Sequence, residues 1–183
     1  MLVENKILPK SISNLYEYLI DCSYQKISSK EKNVIYQSLV IAYNGHDGQI
    51  RKSGEPYIHH PIEVAKIVAK DIGLDYISIA SALLHDVVED TNVTFKDLNE
   101  SVGYEISRIV NCLTKISTLK KNEDYSIQAE NYRRMLLTLH KDIRVILIKT
   151  ADRLHNMRTI DFLSKAKQDQ MASESLYICP IGS

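Results

Sequence analysis

Two short stretches of this 183-residue chain crowd together groups able to bind a cation or move a proton. In the first, His85 and Asp86 stand side by side at the polar end of an apolar run, with Glu89 and Asp90 following. Residues three and four apart share a helix face, so this spacing turns three carboxylates toward one imidazole, and such a group repels itself unless a cation joins it. The second stretch places Asp152, Arg153, His155 and Asn156 after another apolar run, with Asp152 and Asn156 one helical turn apart. A further pair, His59-His60, precedes Pro61. Burying any of these groups without a partner would cost several kcal/mol. As a set, His60, His85, Asp86 and Asp152 offer two imidazoles and two carboxylates. That mixed nitrogen and oxygen site suits a six-coordinate divalent ion that keeps water, and the ligand types admit Mn, Fe, Co or Zn. The competing reading of the first stretch is a solvated acidic helix end with a histidine lining the core, and the second stretch weakens it.

The elements that must position these residues read as helices. Gly (6) and Pro (4) are scarce for the length, which favours long helices over many short strands. Val34 to Ala42 is apolar apart from Gln37-Ser38 and reads as a helix stopping at Asn44-Gly45. Residues 45–61 hold three glycines and two prolines and read as a long loop carrying functional side chains. A helix is expected from Pro61 to Gly73, and one strongly apolar helix from Ile77 to Val88. Thr94 is a plausible helix start, and Val102 to Leu113 keeps helical period across Gly103. Lys115 to Gln128 is mostly polar and reads as a mobile connection, before two more helices at Ala129 to His140 and Ile143 to Thr159.

Apolar residues make up 44% and charged residues 25%, the mixture of a soluble folded domain, and the length suits one domain spanning residues 1–183. Lys plus Arg (23) balance Asp plus Glu (23), so no net field attracts nucleic acid or an anionic membrane. The charge is instead local: residues 131–160 carry net +5 and residues 81–110 net −4, which could bring a phosphate and a cation together. The first residues lack a signal-peptide core, no run is long enough to span a membrane, and three dispersed cysteines suit a reducing compartment. A cytoplasmic protein is expected.

Three strings in order, HDGQIRKSGEPYIHHP at 46–61, LLHDVVEDT at 83–91 and ILIKTADRLHNMRT at 146–159, closely resemble the hydrolase domain of the Rel/SpoT alarmone enzymes, within the HD phosphohydrolase superfamily. The resemblance covers roughly residues 34–176. It implies an all-α helical bundle around a single metal site. The activity it implies is release of the 3′-pyrophosphate of guanosine tetra- or pentaphosphate in the stringent response, with one Mn2+ as the usual ion. Carried over by position, His60, His85, Asp86 and Asp152 match the metal ligands, and Glu89 and Asp90 the catalytic acidic pair that serves the attacking water. Arg51, Lys52 and Ser53 match the nucleotide-facing string, while Asn156 and Thr159 match nucleoside contacts. Tyr57 is expected to pack, and His59 and His155 to be structural or to support the ligands. Long members continue from a Glu-Thr-Leu string into a synthetase domain. Here Glu174-Ser175-Leu176 leads to Tyr177-Ile178-Cys179-Pro180 and Ser183, so a hydrolase without a synthetase segment is expected. Such a chain is either naturally short or the front piece of a GTP pyrophosphokinase. Another nucleotide as substrate, and a non-catalytic sensing module, are the alternatives, the latter disfavoured because binding alone needs no acid pair.

Overall fold

The computed structural model describes residues 8–117 and 142–162, together with residues 164, 165 and 167–169. Eight α-helices follow one another among them: Lys10–Asp21 (α1), Ser29–Gly45 (α2), His59–Lys66 (α3), Tyr76–Leu83 (α4), Val87–Asp90 (α5), Phe95–Val102 (α6), Tyr104–Ser117 (α7) and Arg144–Arg158 (α8). A π-helical turn, Ile67–Ile72, continues α3. The described residues contain no strand, only an isolated bridge between Ile50 and Pro56 inside the loop before α3. The expected all-α bundle is the observed fold. The expected mobile connection from Lys115 runs beyond the described residues after Ser117, and the helix expected at Ala129 to His140 lies outside them.

Local chemistry sets the helix starts. Ser28 and Glu31 form a reciprocal cap on α2, Asp75 accepts from the Ser78 amide at the start of α4 (2.9 Å), and Thr94 and Asp97 cap α6. The helix expected to open at Pro61 opens at His59, because Pro61 sits in its first turn, where the missing N–H is not needed. The segment expected to run helically across Gly103 is divided there. Gly103 has φ +93°, a conformation that side chains with a Cβ rarely adopt, and α6 ends at it.

Helix α4 is the centre of the bundle, packed against α2, α3, α7 and α8, and all six residues Ser78–Leu83 are buried. The apolar run from Ile77 to Val88 is not one helix, however. It breaks at Leu84 to Asp86, where the amides of Leu84 and Val87 bond three residues back to Ser81 and Leu84. The break leaves the Ala82 carbonyl to the His85 ring, whose Nδ1 donates to it at 2.7 Å. Gly45, at the end of α2, closes against the short α5: a Cβ there would stand 3.0 Å from Val87 Cγ2.

An ion-pair group pins the start of α8. Asp142 accepts from Arg144 (2.9 Å) and Arg108 (2.6 Å), and Arg144 also reaches Asp75 (3.2 Å) and Glu105 (2.6 Å), tying α8 to α4 and α7. Hydrogen bonds from Arg144, working against burial and joined by Arg108, hold the Asp142 carboxyl at about 2. A depressed carboxyl stabilises the fold fully above its ordinary pKa and loses that contribution as pH falls through its folded value. Asp142→Asn is therefore expected to cost about 1.5–3 kcal/mol in urea unfolding at neutral pH, the range for hydrogen bonds to charged groups. The gap from wild type should narrow as the pH approaches 2; a gap that stays constant with pH would contradict this role.

Candidate metal centre

Three elements deliver the polar cluster. His60 comes from the first turn of α3, His85 and Asp86 from the break between α4 and α5, and Asp152 from α8. His60, His85 and Asp152 are buried, and one ligand atom from each lies within 4.8 Å of the others. Asp152 Oδ1 stands 3.3 Å from His60 Nε2 and 3.8 Å from His85 Nε2, while Asp86 Oδ2 stands 3.6 Å and 2.9 Å from the same two nitrogens. All four residues thus lie close together, with Asp86 set against the group formed by the other three.

The proton positions decide what the cluster can hold. His85 Nδ1–H is committed to the Ala82 carbonyl, so a neutral ring presents a lone pair at Nε2. That Nε2 is buried and has no hydrogen-bond partner, although the Asp86 oxygen is close. Lone pairs and carboxylate oxygens aimed into one small space are the donor set of a divalent cation, and the residues fit one. Burial alone would lower the His85 pKa, but Asp86 and Asp152 outweigh it and hold the ring at about 9, so without an ion the ring keeps a proton that a bound cation would displace from Nε2. Burial works to raise both carboxyls, yet His85 and His60 around Asp86, and His60 and Lys149 around Asp152, keep them below the usual range. The pocket draws positive charge.

A second layer orients the ligands. Lys149, buried on α8, donates to Asp152 Oδ2 at 2.9 Å. Asn156 donates to Asp152 Oδ1 at 2.7 Å, and its own carbonyl oxygen accepts from Arg51 Nη2 at 2.7 Å. The Tyr57 hydroxyl donates to Asp86 Oδ2 at 2.7 Å and stands 3.3 Å from Asp90 Oδ2, with its ring stacked on His46. Burial, then the neighbouring Asp86 charge, push the Tyr57 pKa far up, so it remains a donor. His155 lies between His60 Nδ1 (2.8 Å) and Arg51 Nη1 (3.2 Å). Its pKa falls to about 4 through burial, then the nearby His60 and Arg51.

The remaining expected residues sit around this core. Glu89 and Asp90 are exposed on α5, their amides both bonded to the Asp86 carbonyl at 3.0 Å. They do not continue the α4 face as a straight helix would place them. Lys52 is exposed and Ser53 half-buried in the loop before α3; Lys167 stands against Lys52 and pulls its pKa down. Thr159 Oγ1 donates to the carbonyls of His155 (3.2 Å) and Asn156 (3.3 Å) at the end of α8. His59 is half-buried at the start of α3. Sequence reasoning set Tyr57 aside as packing and passed over Lys149 and Lys167. The one signal for Lys149 was its place three residues before Asp152, on the same helix face.

Residues 38–179 match the HD domain family. The chain is 43% identical over 164 residues to a guanosine-3′,5′-bis(diphosphate) 3′-pyrophosphohydrolase of Vibrio cholerae, covering 90% of this chain and 23% of that protein. It is 46% identical over 142 residues to the bifunctional (p)ppGpp synthase/hydrolase SpoT of Escherichia coli K12, covering 78% and 20% respectively. A GTP pyrophosphokinase of Myxococcus xanthus is 46% identical over 149 residues, covering 80% and 20%. The chain thus spans between a fifth and a quarter of the length of these curated relatives. Among solved structures, a metazoan ortholog of SpoT described as hydrolysing ppGpp superposes with TM-score 0.62 at 29% identity, covering 80% of this chain and 85% of that one.

Proposed function

Because this chain belongs to the HD domain family, on its Rel/SpoT branch, we propose that it is a Mn2+-dependent hydrolase that removes the 3′-pyrophosphate of guanosine tetra- and pentaphosphate. GDP or GTP is the other product, and the setting is stringent-response signalling in the cytoplasm. The observation that carries the reading is the buried set His60, His85 and Asp152 with Asp86 against it, whose imidazole and carboxylate donors face one another with a buried Nε2 left over. The names of the relatives support the substrate. No helix among the described residues is long and apolar enough to cross a membrane.

His60, His85, Asp86 and Asp152 would hold the ion. When bound, it supplies a Lewis acid for phosphate oxygens and lowers the pKa of water beside it. Glu89 takes the proton of the attacking water, and Asp90, held near Asp86 by Tyr57, gives one to the departing 3′ oxygen. Water oxygen bonds to the phosphorus next to the ribose, the bond from that phosphorus to the 3′ oxygen breaks, and pyrophosphate leaves the nucleoside. Arg51 stacks on the purine or forks onto phosphate, with Lys52, Ser53, Asn156 and Thr159 beside it. Lys52 and Lys167, two exposed cations near each other, favour an anion between them.

The test is a panel of guanosine polyphosphates, dNTPs, cyclic nucleotides and NADPH, each incubated with the chain and Mn2+. Pyrophosphate release from the guanosine polyphosphates is expected, with little from the others. Hydrolysis of a different nucleotide in preference would assign the same site another substrate, and no hydrolysis at all would favour a sensing module.

A further inference from the structure

One histidine ligand has its proton position set by a residue that touches no ligand. His155 Nδ1 is approached by two groups, His60 Nδ1 at 2.8 Å and Arg51 Nη1 at 3.2 Å. An arginine has only donors, so the N–H of Arg51 must meet a lone pair on His155 Nδ1. With that nitrogen an acceptor, the hydrogen between the two histidines belongs to His60 Nδ1. A neutral His60 ring is thereby left with its lone pair on Nε2, against the Asp152 and Asp86 oxygens at 3.3 Å and 3.6 Å, which by themselves favour a hydrogen on that nitrogen. Arg51 is itself held in place, since Asn156 accepts from its other terminal nitrogen at 2.7 Å. For His85 the same task falls to a backbone carbonyl, which cannot change role; for His60 it falls to a side chain that could be either donor or acceptor.

We propose that Arg51 and His155 form a hydrogen-bond relay that fixes His60 in the tautomer able to bind a metal, so that Arg51, in the loop before α3, acts as a positioning residue for the metal centre. This rests on the metal reading of the cluster given above. The relay makes the guanidinium serve two ends. The same loop that meets the nucleotide also sets the ligand field, and the arrangement links loop order to ion affinity without any contact between Arg51 and the ion.

The experiment compares the metal-free full chain with Arg51→Met, His155→Phe and His155→Asn. Two quantities are measured: the ring-nitrogen chemical shifts of His60 at a pH where the ring is neutral, and the affinity for Mn2+ alone by calorimetric titration. Asn places an amide oxygen near the position of the lost Nδ1 and so restores an acceptor. Wild type should carry the His60 hydrogen on Nδ1. Arg51→Met and His155→Phe should move it toward Nε2 and weaken Mn2+ binding about 10- to 100-fold, the usual range for losing a group that orients a histidine ligand. His155→Asn should recover most of both. A His60 hydrogen on Nε2 in wild type, a tautomer that stays on Nδ1 in both disruptive variants, or a tautomer that moves with no change in affinity would each overturn the relay. A wild-type chain that takes up no Mn2+ yet shows the assigned tautomer, displaced in the variants, would bring down the metal reading while supporting the hydrogen-bond relay.

Discussion

Asp86→Ala is expected to empty the site of metal and reduce turnover of guanosine tetraphosphate by on the order of a thousandfold or more. A bound divalent ion supplies several kcal/mol of charge stabilisation, and each 1.4 kcal/mol is about a factor of ten. Asp86 is the better choice of ligand to remove because its loss leaves few groups stranded. Tyr57 still has Asp90 within 3.3 Å, and the two imidazoles can stay neutral. Asp152→Ala would instead remove one member of the buried Lys149–Asp152 ion pair, a change that typically costs about 3–5 kcal/mol and confuses lost metal with lost fold. Metal analysis of the dialysed proteins reads the result. Equal metal content in wild type and Asp86→Ala would remove the site.

The second large effect is expected at Glu89, and it separates holding the ion from handling the proton. Glu89→Gln changes an exposed carboxylate to an amide of nearly the same shape, so fold and metal content should match wild type. Turnover should fall about a hundred- to ten-thousandfold, the usual contribution of a positioned acid or base. Loss of metal in this variant would make Glu89 a ligand, and unchanged turnover would exclude it from the reaction.

Much of this arrangement was legible in the sequence because it depends on residue type and local spacing. The cap at Thr94, the helix stop at Gly73, the apolar faces of α2 and α8, and the coming together of His60, His85, Asp86 and Asp152 could all be read in advance. The break at Leu84 to Asp86 could not, because Leu83, Leu84, Val87 and Val88 keep the apolar pattern unbroken across it. Hydropathy reports which side chains are buried and is blind to a turn that buries them equally well. For Tyr57 the sequence carries half the account: its ring packs, on His46, as its place beside Pro56 suggests, and only the folded loop reveals that its hydroxyl reaches a carboxylate 29 positions away. His155 acts across the space between α3 and α8, where sequence distance carries no information on contact, whereas Lys149 reaches Asp152 along its own helix, three residues on.

The fate of oxygen when guanosine tetraphosphate is hydrolysed in water enriched in oxygen-18, with Mn2+ present, tells directly which phosphorus is attacked. Attack on the phosphorus next to the ribose puts the new oxygen into the departing group. The expected result is pyrophosphate carrying one labelled oxygen and GDP carrying none. Labelled orthophosphate would mean that a terminal phosphoryl group is the one attacked, and label in GDP would mean that the ribose carbon–oxygen bond breaks or that GDP's own phosphates are attacked; either would contradict the mechanism.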